Sequence, residues 1–364
     1  MKKVWLLSLV ICWGIWMPLH AQSTFQNTIS TTEVGDNIPY AITPTEDDGF
    51  AIAGFSGAGT NLFQAILLTK TDEVGAAQWT KIFGGSNFEV GHDIIQTSDD
   101  GYLLAGRSMS FGTTSEDAFL LKTDAMGNMQ WTRAFGGDGD DAANSVFQNS
   151  DGSYTFIGES NSFSTNNDRN DVFMVNTTSN GTLNWSKTHS TSLNIDRIAG
   201  VALPNGGYAF TGLVEYISAD KAQQTESDFL DENAVNQKVE GLQKPWLKGI
   251  GGGGTGAQTG VLFVETDADG EIVQEKIFGI SGTIDCFGTS IIATADGGFF
   301  IGGYTIEPTP SGFSFHITGL KITSSGTIQW AKNFESFDSF FPVTCNQLDN
   351  GNLTLTSTNS LNAG

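Results

Sequence analysis

The chain is short of several things that organise most proteins of 364 residues. Basic residues are scarce: 17 lysines and arginines stand against 40 aspartates and glutamates, for a net charge of −23. A negative field of that size repels phosphate backbones and anionic lipid surfaces, which excludes nucleic acid as a partner. Cysteine is rare, at 3 residues, too few for a disulfide-built scaffold. Proline is rare as well, at 8. After the N-terminal leader no apolar run is long enough to span a bilayer. What is plentiful is glycine, at 45 residues, together with 26 phenylalanines and 8 tryptophans. Many glycines and aromatics with little helical patterning predict short strands joined by tight turns.

The N-terminus reads Met1-Lys2-Lys3, then apolar from Val4 to about Met17, then Leu19-His20-Ala21. A basic start, an apolar stretch and a small residue form the pattern of a secretory signal peptide cut after Ala21. Residues 1–21 are therefore expected to be the leader and 22–364 the mature domain, exported to the cell surface or beyond. Without Lys2 and Lys3 the net charge is −25. In an oxidising compartment Cys286 and Cys345 are equally compatible with a bridge and with two separate buried thiols.

One pattern of about 52 residues recurs along the chain. Its first half is a hairpin turned by Asp-Gly or Asn-Gly, with anchors at Gly49, Gly101, Gly152, Gly206, Gly297 and Gly351. Glycine there supplies the positive φ of a tight turn. An apolar strand follows and ends on Gly, as in Ala51-Ile52-Ala53-Gly54 and Phe156-Ile157-Gly158. The second half is another hairpin, Leu120-Leu121-Lys122-Thr123-Asp124-Ala125-Met126-Gly127 with Trp131 being the clearest copy. Trp79, Trp185 and Trp330 occupy the same position, and Gln274 stands there in the fourth copy. Two hairpins per repeat make four short antiparallel strands, the size of a propeller blade. The expected fold is an all-β propeller of six blades, or seven or more if the chain is a C-terminal truncation. A truncation is expected, because the last repeat stops after one hairpin. Residues Thr24–Ser30, with Phe25 in place of the tryptophan, are a candidate outer strand to close the ring.

The Asp-x-x-Gly-x-x-x-Trp element resembles the tryptophan-docking motif of quinoprotein-type propellers, with one residue fewer or more between Asp and Gly, so the likeness concerns blade packing alone. Over about residues 30–357 the repeat also resembles the Asp-Gly-Gly-Tyr, Lys-x-Asp-x-x-Gly-x-x-x-Trp repeat proteins of Bacteroidetes, which implies a secreted β-propeller.

The step between the fourth and fifth anchors is longer, through an insertion at about 216–258 that ends in Gly251-Gly252-Gly253-Gly254. It holds Trp246, the mature tryptophan outside the repeat and a candidate to stack on a sugar or a partner. Twelve residues before each anchor stands a polar residue: Asn37, Glu89, Asp140, Asn194, Asp285 and Ser339. These read either as a polar ring at the channel mouth or as caps of local turns. Asp138-Gly139-Asp140-Asp141 and Asp267-Ala268-Asp269-Gly270-Glu271 resemble pieces of calcium loops and equally fit turn chemistry. No cofactor is expected, and calcium is the metal the acidity would suit. No histidine pair, nucleophile elbow or other catalytic set stands out. The expectation is therefore a non-enzymatic binding propeller for an extracellular protein or glycan, more readily than an enzyme. Its alternatives are an enzyme acting on extracellular polysaccharide and a structural domain of a larger secreted protein.

Overall fold

The computed structural model describes residues 37–57, 64–112, 115–164, 169–190, 194–216, 258–278, 285–309, 312–337 and 343–357. The leader, Phe25, Trp246 and the rest of residues 217–257, and Ser339 lie outside them. Every regular element among the described residues is a strand, and none is a helix able to cross a membrane.

The strands form a β-propeller of successive antiparallel sheets, each wound in chain order. The first blade holds β1 (Asn37–Pro44), β2 (Phe50–Ser56), β3 (Ala65–Thr71) and β4 (Ala77–Phe83). The second holds β5 (Glu89–Gln96), β6 (Tyr102–Ser108), β7 (Asp117–Thr123) and β8 (Met129–Phe135). The third holds β9 (Asp141–Gln148), β10 (Tyr154–Ser160), β11 (Asp171–Thr177) and β12 (Leu183–His189). The fourth is β13 (Asn194–Ala202), β14 (Tyr208–Tyr216), β15 (Gln258–Thr266) and β16 (Ile272–Phe278). The fifth is β17 (Asp285–Ala293), β18 (Phe299–Thr309), β19 (Gly312–Ile322) and β20 (Ile328–Phe337), and the sixth is the hairpin β21 (Val343–Gln347) and β22 (Leu353–Ser357). The first strands of successive blades pack on one another, β1 on β5, β5 on β9, and so on to β21. They therefore line the axis.

Blades are joined by apolar layers made from alternating strand residues, as a two-residue period requires. Ala51, Ala53, Ile66 and Leu68 of the first blade pack against Ile94, Tyr102, Leu104 and Phe119 of the second. The tryptophans fill the rim of these layers. Trp79 lies against Gly127 of the next blade, Trp131 against Gly181 and Trp185 against Gly270. Gln274 takes the same place against Gly326. The face of the first blade that a preceding blade would cover is open among the described residues. Ile42 there is 63% exposed, whereas Ile94, its counterpart in the second blade, is 2% exposed.

One expectation about the turns needs correcting. The positive φ of the first hairpin turn lies on Asp48 and Asp100 in the first two blades, and on Gly152, Gly206, Gly297 and Gly351 in the others. Gly49 and Gly101 sit one residue later, for a different reason. A Cβ on Gly101 would fall 2.2 Å from the Thr123 carbonyl oxygen and 2.4 Å from Lys122 Nζ. Close backbone approach selects glycine there, while Asp tolerates the left-handed turn position. Cys286 and Cys345 are both buried free thiols, and Cys345 Sγ lies 2.9 Å from Ser290 Oγ.

Candidate functional site

The two ends of the propeller are built differently. One end carries the hairpin turns. There Asp72 Oδ1 accepts from the backbone N–H groups of Val74 (3.1 Å) and Ala76 (2.8 Å), and Asp124 repeats this with Met126 and Asn128. Asp267 does the same for Asp269 and Glu271, so its oxygens serve a turn. The repeat's lysine reaches down to the same end. Lys70 Nζ bonds Asp47 at 2.8 Å, Lys122 bonds Asp99 at 2.9 Å and Lys321 bonds Asp296 at 3.0 Å.

The other end carries the crossings between blades and the loops between second and third strands, including the one from which residues 217–257 leave between Tyr216 and Gln258. A few residues in from this end, the innermost strand of each of the first five blades has a β-bulge. Tyr40, His92, Asn144 and Thr289 are each the extra residue in blades one, two, three and five. In blade four Arg197 and Ile198 together lie opposite the single Gly212, and Ile198 is the counterpart of His92. A bulge re-aims the side chain it carries. The glycine opposite makes room for it: a Cβ on Gly158 would sit 1.8 Å from the Ala142 carbonyl oxygen. The residue after that glycine is Phe55, Arg107, Glu159, Leu213 or Tyr304 in turn, so the second strand adds a further side chain beside each bulge.

Several of these residues are neighbours near the mouth of the axial channel. The Tyr40 and His92 rings are 5.8 Å apart. His92 Nδ1 lies 3.2 Å from the Ala143 carbonyl, which can only accept, so Nδ1 carries the proton and Nε2 is left as an acceptor. Burial, with Arg107 nearby, lowers the His92 pKa to about 4, so the ring is neutral. Arg107 Nη1 pairs with Glu116 at 2.8 Å, and its guanidinium lies 5.3 Å from the centre of the Phe88 ring.

At the centre of the cluster is a pair of carboxyl groups from adjacent blades. Glu159 of β10 lies beside Asp196 of β13, and burial, with the Asp196 charge, pushes the Glu159 pKa up to about 8. Two carboxyl groups this close in a buried setting do not both ionise readily. Glu159 Oε2 is buried and has no hydrogen-bond partner among the described residues. Asp196 Oδ1 also accepts from Arg197 N at 2.7 Å. Arg197 holds a positive φ of 58°, a strained conformation for a side chain of that size. Asp93 on β5, also raised to about 6 by burial, is occupied differently: it accepts from Ile94 N and from Val146 N of the next blade, each at 2.8 Å.

The polar residues picked out by spacing fall into two separate registers. Asn37, Glu89 and Asp141 are equivalent, each opposite a serine of the second strand. Asp140 and Asn194 form another class one residue earlier, and each caps a loop: Asp140 Oδ1 accepts from Glu116 N at 3.3 Å, Asn194 Oδ1 from Asn170 N at 2.9 Å. Glu89 Oε2 accepts from Gly85 N at 3.1 Å. Asp285 opens β17 opposite Ile306. Sequence spacing missed Glu159, Asp196, His92 and Arg107. Among the described residues no group of three or more His, Cys, Asp or Glu is arranged to hold a metal ion.

No protein-family model matches the chain, and no curated protein matches it. Solved structures similar to it include a putative exo-β-1,3-galactanase from Bifidobacterium bifidum (12% identity over 82% of this chain and 91% of that one, TM-score 0.42). An α-L-arabinofuranosidase from Fusarium graminearum shares 8% identity over 87% of this chain and 86% of its own (TM-score 0.48). An endo-arabinase from Bacteroides thetaiotaomicron shares 9% over 87% and 99% (TM-score 0.38). The likeness is one of fold and assigns no residue. All three are enzymes by name, and this corrects the expectation from sequence that the chain is more readily not an enzyme.

Proposed function

We propose that this protein is an exported enzyme acting on extracellular polysaccharide, with Glu159 as its acid. The observation that carries the reading is the Glu159–Asp196 pair at the channel mouth. Cleavage of a glycosidic bond needs a carboxylic acid that still holds its proton near neutral pH, and a second carboxylate close by. Glu159 meets the first requirement because burial and Asp196 hold its proton on. Asp196 supplies the second. Tyr40, 57% exposed and beside His92, offers a ring face for a sugar. The secretory leader and the repeat resemblance to secreted Bacteroidetes proteins suit an extracellular substrate. Trp246 remains a candidate sugar platform on the insertion.

The test is reducing-end release by residues 22–364 from a panel of purified polysaccharides. Turnover of at least one, lost in Glu159→Gln, supports the reading. No turnover of any, or turnover indifferent to Glu159→Gln, refutes it.

A further inference from the structure

We infer that the site takes a neutral glycan, and that Glu116 is the residue that sets this preference by cancelling Arg107. This rests on the polysaccharide reading above. An anionic sugar, such as a uronate, is held by an arginine free to form a charge-assisted pair with its carboxylate. The mouth has arginines, but Arg107 and Arg197 each already have an acidic neighbour. Arg107 pairs with Glu116 at 2.8 Å, and Arg197 Nε lies 3.9 Å from Asp196 Oδ2. Arg169, on the loop of the third blade, is not free either. His92 is within reach of Arg107 and neutral. Around this balanced centre the chain carries a net charge of −23, which lowers the local concentration of any polyanion.

Glu116 is held for the task. Its backbone N–H donates to Asp140 Oδ1 at 3.3 Å, and its carbonyl accepts from Asp141 N at 2.7 Å. The loop is thus clamped to the start of the third blade, and the side chain returns across it to Arg107. The Phe88 ring supports the guanidinium from the same blade. In the first blade the position of Arg107 is Phe55 and in the fourth it is Leu213, so no repeated requirement of the fold asks for this ion pair.

The experiment measures binding of β-1,4-galactotriose and of tri-galacturonate to the mature chain and to Glu116→Gln, in low and high salt. The wild type should bind the neutral sugar at least tenfold more tightly, with an affinity unchanged by salt. Glu116→Gln frees a guanidinium and should gain about tenfold for tri-galacturonate, a gain abolished by high salt. Preference of the wild type for tri-galacturonate overturns the inference, as does binding of neither sugar. A folded Glu116→Gln with no gain overturns the role of Glu116. If that variant does not fold, the salt series on the wild type decides: affinity for the preferred sugar that falls with salt contradicts a neutral substrate. Failure of the polysaccharide reading looks different, as sugar binding with the predicted preference but no turnover of any polymer.

Discussion

The turn end and the mouth end of this propeller are made from the same repeat and have diverged in opposite ways. At the turn end the same pairs recur: Lys70 with Asp47, Lys122 with Asp99, Lys321 with Asp296. At the mouth, equivalent positions hold Tyr40, His92, Asn144, Ile198 and Thr289 on the first strands, and Phe55, Arg107, Glu159, Leu213 and Tyr304 on the second. Repetition marks what each blade needs in order to fold. Difference at geometrically equivalent positions marks what the ring does as a whole. The two ends also treat polar groups differently. Turn-end carboxylates are satisfied by local N–H groups and lysines, whereas at the mouth Glu159 Oε2, Arg107 Nε and Asn144 Oδ1 are buried without partners among the described residues.

If this contrast is right, substitutions at the two ends separate activity from stability. The largest effect is expected for Glu159→Gln. Gln copies the protonated carboxyl in shape and hydrogen bonding, so the melting temperature should hold at neutral pH while polysaccharide turnover falls by about 10²–10⁴-fold. Gly158→Ala comes next. The added Cβ collides with the Ala142 carbonyl, so urea unfolding should show a loss above about 3 kcal/mol. Lys122→Met should cost less, about 1–2 kcal/mol by the same measurement, because Asp99 is left in contact with water. Its turnover by folded protein should match the wild type, and a loss of activity there would break the comparison.

A further effect is expected on the pH dependence of stability, and its sign differs between the ends. Glu159 has a pKa raised to about 8, so the folded state holds a proton that the unfolded chain releases from its ordinary value of 4.5. Its contribution therefore falls as pH rises from about 4.5 to about 8. Asp47 and Asp296 are lowered to about 2, chiefly by hydrogen bonds to Lys70 and to Thr294. Their contribution is present above their ordinary value of 3.8 and is lost as pH falls towards 2. Thermal unfolding across pH 2–9 should show the alkaline slope flattened by Glu159→Gln and the acid slope flattened by Asp47→Asn with Asp296→Asn.

The turn end was legible in the sequence because its chemistry is local. An aspartate capping its own turn, or a glycine two residues after it, leaves a mark at constant spacing. Even there the register slipped by one residue, because Asp48 and Asp100 take a left-handed conformation that glycine takes in the other blades. The mouth was not legible in this way. A bulge adds a residue without a signature of its own, and the one-residue slip at the turn carried over to this end, which is why Asp140 and Glu89 looked equivalent and are not. Glu159 did leave a trace. In Tyr154-Thr155-Phe156-Ile157-Gly158-Glu159-Ser160 it is the charged residue in a buried strand. Aligning the blades on the second-strand glycine would have set it beside Phe55, Arg107, Leu213 and Tyr304.

The most direct test of the carboxyl pair is a ¹³C NMR titration of the mature chain labelled at glutamate side-chain carboxyls, repeated in Asp196→Asn. The account predicts one glutamate titrating near pH 8 that is absent from Glu159→Gln and moves down by more than one unit when Asp196 loses its charge. Finding every glutamate titrating below pH 6, or a Glu159 signal indifferent to Asp196→Asn, would contradict it.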